Sequence, residues 1–154
     1  MEVKSSKKNE NKMLRLERQP RYTIREVAGG PSEVQQDAWD AICSSVARAM
    51  DALDLRGHLF VTVIGADIIR TGYGDDECGF GLYHSGMQHV AVCGGDGPPD
   101  LKDDRAEWIR QIKLSTTHEI IHYYQELQCT LGDSEETELE AERMAEEIVA
   151  ESTS

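Results

Sequence analysis

The run His118-Glu119-Ile120-Ile121-His122 constrains this chain more than any other stretch of it. On a helix, residues four apart stand one turn above each other, with Cβ atoms about 5–6 Å apart. Two imidazoles so placed can converge on a single cation at nitrogen–metal distances near 2 Å. Glu119 lies about 100° further around the helix, so it flanks such a cation and can hydrogen-bond a water there. Chance writes this pattern into roughly one chain of this size in a few hundred, so its weight depends on helical context. Ile112, Ile120 and Ile121 supply that context by marking a half-buried helix.

A chain of 154 residues has room for one domain. Its apolar fraction of 39% supports one modest core, and no stretch approaches the length of an apolar transmembrane helix. Residues 1–25 carry eight Lys or Arg against three Glu, whereas residues 133–147 carry eight Asp or Glu against Arg143 alone. The net charge of −13 argues against a nucleic-acid platform, which needs a positive field on the folded body. Residues 1–20 read as a basic, flexible N-terminal segment with no apolar h-region, and residues 21–150 as a single domain. Cys43, Cys78, Cys93 and Cys129 form no C-x-x-C pair. Free thiols in a reducing compartment, and hence a cytoplasmic location, are expected.

The segment Arg21–Val27 alternates as a strand and stops at Gly29-Gly30-Pro31, after which Ser32 is placed to cap a helix. Val34, Ala38, Ile42, Val46 and Met50, joined by Trp39, Cys43 and Leu53, have the spacing of a long amphipathic helix. Leu59–Ile64 reads as a buried strand closed by Gly65, and Gly72–Gly79 as an acidic loop. Phe80–Tyr83 and Gln88–Cys93 pair as a hairpin. Asp100 or Asp103 opens a second long helix that runs through the histidine run to about Cys129. Ser134 can cap a final helix, although Thr137 stands where a capping box requires Glu or Gln. The order predicts an α+β fold, a small, mostly antiparallel sheet packed against helices.

A metal site with catalytic chemistry needs a third protein ligand and one open position. No histidine follows His122, but seven glutamates lie between Glu135 and Glu147. Only one or two can face the histidine helix; the rest form a solvated face. Glu138 and Glu142 are one turn apart, as are Ala141 and Ala145, whose small side chains allow close helix approach.

His118-Glu119-Ile-Ile-His122 followed by Glu138-Leu-Glu140-Ala-Glu142 resembles the compact gluzincin zinc metallopeptidases, over residues 105–148. The resemblance implies a minimal zincin-like domain that hydrolyses peptide bonds. It makes His118, His122 and Glu138 the ligands of Zn2+, with Glu140 as the rival third ligand. Glu119 becomes the general base for a metal-activated water, and Glu142 the acidic group that orients a ligand imidazole. It also implies a peptide or protein substrate bound along an edge strand near Gln88–Cys93. Candidates to stabilise an oxyanion are Tyr73, Tyr83, His84, His89, Tyr123 and Tyr124, while His58 reads as structural. The alternative function is a non-catalytic, metal-binding interaction module derived from a peptidase fold. Gly94-Gly95-Asp96-Gly97 lacks a phosphate-loop Lys, and Gly74–Glu77 lacks calcium-loop spacing, so both read as turns.

Overall fold

The computed structural model describes residues 13–70, 78–132 and 134–151. Strands β1 (Leu16–Gln19) and β2 (Tyr22–Val27) precede helix α1 (Gln36–Ala52), then β3 (Leu59–Ile64). The short strands β4 (Ile69–Arg70) and β5 (Cys78–Gly79) pair with each other. Next come β6 (Gly81–His84), β7 (His89–Cys93), a single 3-10 turn at Pro99–Leu101, and helices α2 (Arg105–Leu127) and α3 (Glu135–Glu151).

The main sheet runs β1-β2-β3-β7-β6. Its outer pairings, β1–β2 and β6–β7, are antiparallel, and its central ones, β2–β3 and β3–β7, are parallel. The sheet is therefore mixed rather than mostly antiparallel. The cause is α1, which carries the chain back across the sheet so that β3 starts at the same end as β2. Strand alternation turns Ile24, Val61, Val63, Val90 and Val92 inward, onto Ile42, Val46 and Met50 of α1 and Ile112 and Ile120 of α2. The opposite face carries Thr23, Arg25, Thr62 and Phe60, the last 49% exposed. All three helices thus belong to one side of a half-covered sheet.

Several boundaries differ from the sequence expectation. β1 falls inside the basic segment, where Arg15 donates from its backbone N–H and guanidinium to the buried Glu26 carboxylate, each at 3.0 Å. Residues 1–12 lie outside the described residues. The N-cap of α1 is Gln35, without a side-chain cap, because Ser32 and Gln35 use their N–H groups on Gly65 and Gly94 carbonyls at the sheet's end. A Cβ on Gly65 would fall 1.9 Å from the Ser32 carbonyl oxygen, so this close crossing requires glycine. Helix α2 is capped by Asp104, whose side chain accepts from the Glu107 N–H at 3.1 Å, rather than by Asp100 or Asp103. Ser134 does accept from the Thr137 N–H, at 3.2 Å, so α3 is capped without a capping box.

The two isoleucines between the histidines serve different cores. Ile120 packs into the sheet cluster, whereas Ile121 joins Ala141, Ala145 and Ile148 between α2 and α3. Ala141 is fully buried there, and its small side chain sets the helix separation that brings Glu138 to the histidines. Ala141→Leu is expected to cost about 1–3 kcal/mol in denaturant unfolding, because a well-packed seam has no room for three more carbons. The same change should weaken metal retention, and a variant as stable as the parent would rule out this seam as the spacer.

Candidate metal centre

Helix α2 presents His118 half-buried and His122 buried, with Glu138 reaching them from the first turn of α3. The His118 and His122 Nε2 atoms are 3.1 Å apart. Glu138 spans both, with Oε2 3.1 Å from His118 Nε2 and Oε1 3.1 Å from His122 Nε2. Zinc ligands at about 2.0–2.1 Å and tetrahedral angles lie about 3.3–3.4 Å from one another. The nitrogen pair, and each nitrogen with its nearer Glu138 oxygen, are close to that spacing, and with one atom from each residue all three lie within 4.8 Å of one another.

Hydrogen bonding shows what the triangle is for. Gln125, 1% exposed, donates from Nε2 to the Thr137 carbonyl and to Glu140 Oε1, both at 3.0 Å. Two acceptors fix the amide's orientation, so its Oε1, 2.8 Å from His122 Nδ1, accepts a hydrogen bond from the N–H there. The neutral ring then offers only a lone pair at Nε2. That lone pair faces a histidine nitrogen and a carboxylate oxygen, which are also acceptors unless protonated. With the His118 hydrogen on Nδ1, three acceptors converge, and their spacing suits a metal ion. His118, His122 and Glu138 can therefore coordinate a divalent metal.

Glu119 flanks the triangle without joining it, as its helical offset requires. Its Oε1 accepts the Tyr83 backbone N–H at 2.9 Å, and Oε2 lies 3.9 Å from His118 Nε2. Burial raises its pKa, and the two histidines oppose that rise. A Cβ on Gly81 would sit 3.0 Å from the Glu119 Cγ, so glycine here lets β6 lie directly against α2. One turn beyond His122, the Glu126 carboxylate gathers the Tyr83 hydroxyl at 2.7 Å, the Gly86 N–H at 2.9 Å and the Ser85 hydroxyl. The Ser85 hydrogen bond is the leading cause of the lowered Glu126 pKa. Burial, and then Glu126, raises that of Tyr83. Sequence reading missed both Gln125 and Glu126. Their spacing of three and four residues from His122 is the signal that could have found them.

The resulting groove of about 970 Å³ runs between β6, α2 and α3, with Gly81, Tyr83, Glu126, Leu131 and Glu138 among its walls. The strand expected at the edge, Gln88–Cys93, is interior: β7 lies between β3 and β6. Its hairpin partner β6 pairs on the side away from β3 and takes the edge over the metal cluster. Glu138 occupies the ligand position, while its rival Glu140 is turned to Gln125. Glu142 is exposed beside the groove and makes no hydrogen bond to either imidazole, so the supporting contact belongs to Gln125 instead.

The oxyanion candidates separate clearly. His84 and His89 stack on each other with Nδ1 atoms 2.7 Å apart, and His89 reaches Thr62, on the uncovered sheet face. Burial, and then His84, lowers the His89 pKa. His58 bonds Thr23, which supports its structural reading. Tyr123 is buried against Gln88, and Tyr124 packs on the sheet core. Tyr73 lies outside the described residues, as do Gly72–Glu77 of the acidic loop. Among the described candidates only Tyr83 lines the groove, with its hydroxyl held by Glu126.

The fold is a compact, zincin-like α+β arrangement, and the cluster matches a gluzincin-type His-His-Glu metal site with the Glu on the following helix. No protein-family model matches the chain, and no curated protein or solved structure is significantly similar to it.

Proposed function

We propose that this protein is a zinc-dependent peptidase in which Glu119 is the general base. The observation that carries the reading is the triangle of acceptors at His118, His122 and Glu138 with a buried carboxylate beside it, under an open sheet edge. Zinc held by these residues would supply a Lewis acid for the substrate carbonyl and lower the pKa of a bound water. Glu119 Oε2, the oxygen not held by the Tyr83 N–H, would accept the proton of such a water as its oxygen adds to the carbonyl, and would return that proton to the amine as the C–N bond breaks. The Tyr83 N–H fixes the carboxylate's rotamer and stabilises its ionised form.

The substrate in this reading is an extended peptide added along β6. Backbone groups alternate along a strand, and the Tyr83 N–H points away from β7, so Gly81 presents its N–H and C=O on the same side. Glu119, Glu126 and Glu138 line the groove, which favours a basic peptide over an acidic one. The catalytic unit is residues 21–150, with β1 attached to its sheet. Cys43, Cys93 and Cys129 are free thiols, in keeping with a cytoplasmic location; burial pushes the first two up to about 12. Among the described residues, no helix is long and apolar enough to cross a membrane.

A second reading, a non-catalytic metal-binding interaction module, draws on the commitment to Glu126 of the one phenol that lines the groove among the described residues. The ligand set is tested by metal analysis of Glu138→Gln and Glu140→Gln. The first is expected to lose at least tenfold in zinc affinity and the second to keep its zinc. Equal retention in both would remove Glu138 from the site. Hydrolysis of a basic peptide, abolished by chelation and restored by zinc, separates the peptidase from the interaction module.

A further inference from the structure

We propose that the cleft between α1, α2 and the last turn of α3 binds a small oxyanion of the phosphate type. Arg48 and Ser45 of α1, Lys113 and Thr117 of α2, and Ile148 of α3 line a cavity of about 210 Å³. A water occupies about 30 Å³ of liquid, so this space admits a tetrahedral oxyanion with part of its hydration shell.

The lining is unusual for this protein. The chain carries a net charge of −13, and the metal-site groove and two other cavities of the described structure include glutamates. This one has two cations and no carboxylate. Neither Arg48 nor Lys113 forms an ion pair with a described residue, although other arginines on the surface do. The Arg48 Nε donates to the Ile148 carbonyl at 3.3 Å, which anchors the guanidinium and leaves both Nη groups to donate elsewhere.

Thr117 supplies the independent sign of a missing partner. It is 1% exposed, and its hydroxyl oxygen is buried with no hydrogen-bond partner among the described residues. Buried hydroxyls are normally paired; Thr117 is one of three unpaired among the described residues, and it is the one that borders a cleft with two cations. An oxyanion takes donors from Arg48, Lys113 and Thr117 together, with charge assistance from the first two. The carbonyl end of α3 faces the same cleft and opposes a negative ligand. Thr117 precedes the ligand His118, so an occupied cleft braces the metal-bearing helix from behind.

The test is an NMR titration of the zinc-loaded full chain with inorganic phosphate at fixed ionic strength. Saturating shifts are expected at the Ser45, Lys113 and Thr117 amides. Lys113→Gln and the isosteric Thr117→Val should each weaken this binding by about tenfold. Phosphate reaching the metal would also saturate, but around His118 and Glu138, and would be unchanged in Lys113→Gln. Shifts at the cleft that stay linear with phosphate, or saturate equally in the parent and Lys113→Gln, overturn the proposal. Should Thr117→Val fail to fold, Lys113→Gln decides alone, since Lys113 is a partly exposed side chain outside the core.

Discussion

Glu119→Gln is expected to lower peptide hydrolysis by about two to four orders of magnitude while zinc content and unfolding midpoint stay near those of the parent. The size follows from what the substitution removes. An amide keeps the shape of the carboxylate, and its oxygen can still accept the Tyr83 N–H at 2.9 Å, so β6 keeps its seat on α2. Proton acceptance at the other atom is lost. Metal retention should survive because Glu119 stands outside the triangle of His118, His122 and Glu138. Burial of Glu119 makes the neutral amide no worse accommodated than the anion. The measurement pairs turnover of a basic peptide with metal analysis of the same sample. Retained turnover would remove Glu119 as base. Loss of turnover together with loss of zinc would instead make it a structural support of the site.

The parts of this protein legible in its sequence are those written by local periodicity. Val34 to Met50 fall on one face of α1, and the histidine run sits within a helix, because a period of 3.6 needs no knowledge of the rest of the chain. Glu138 is reached through the gluzincin resemblance, with Glu140 left as its rival, while Ala141 and Ala145 mark the face of α3 that packs on α2. Strand order was not recoverable. Which hairpin strand takes the edge depends on which one pairs with β3, a contact between residues nearly thirty positions apart. β1 was hidden for a similar reason. Leu-Glu-Arg-Gln has no alternation of its own and is held by Arg15 reaching the buried Glu26. The resemblance gives the support of a ligand imidazole to Glu142, yet that contact comes from a neutral amide on the histidine helix itself.

That amide carries the second large effect. Gln125→Leu is expected to lower zinc affinity by about 10- to 100-fold, the usual consequence of removing the group that orients a ligand imidazole. The Gln125 side chain makes three hydrogen bonds, and their losses act differently. Without its Oε1, the His122 ring is free to carry its proton on either nitrogen and to rotate, so the Nε2 lone pair is no longer presented to the metal. Without its Nε2, the Thr137 carbonyl and Glu140 lose a donor at the start of α3, the helix that delivers Glu138. Leucine fills a similar volume in a site 1% exposed, so packing is largely kept. The unpaired groups should still cost about 1–3 kcal/mol of stability. Gln125→Glu separates the two roles, because a carboxylate can still accept from His122 Nδ1 but cannot donate to Thr137. If orientation of His122 governs metal affinity, the Glu variant binds zinc far better than the Leu variant while sharing its loss of stability. Equal zinc affinity in the two variants would place the effect in α3, and parental affinity in both would remove Gln125 from the site.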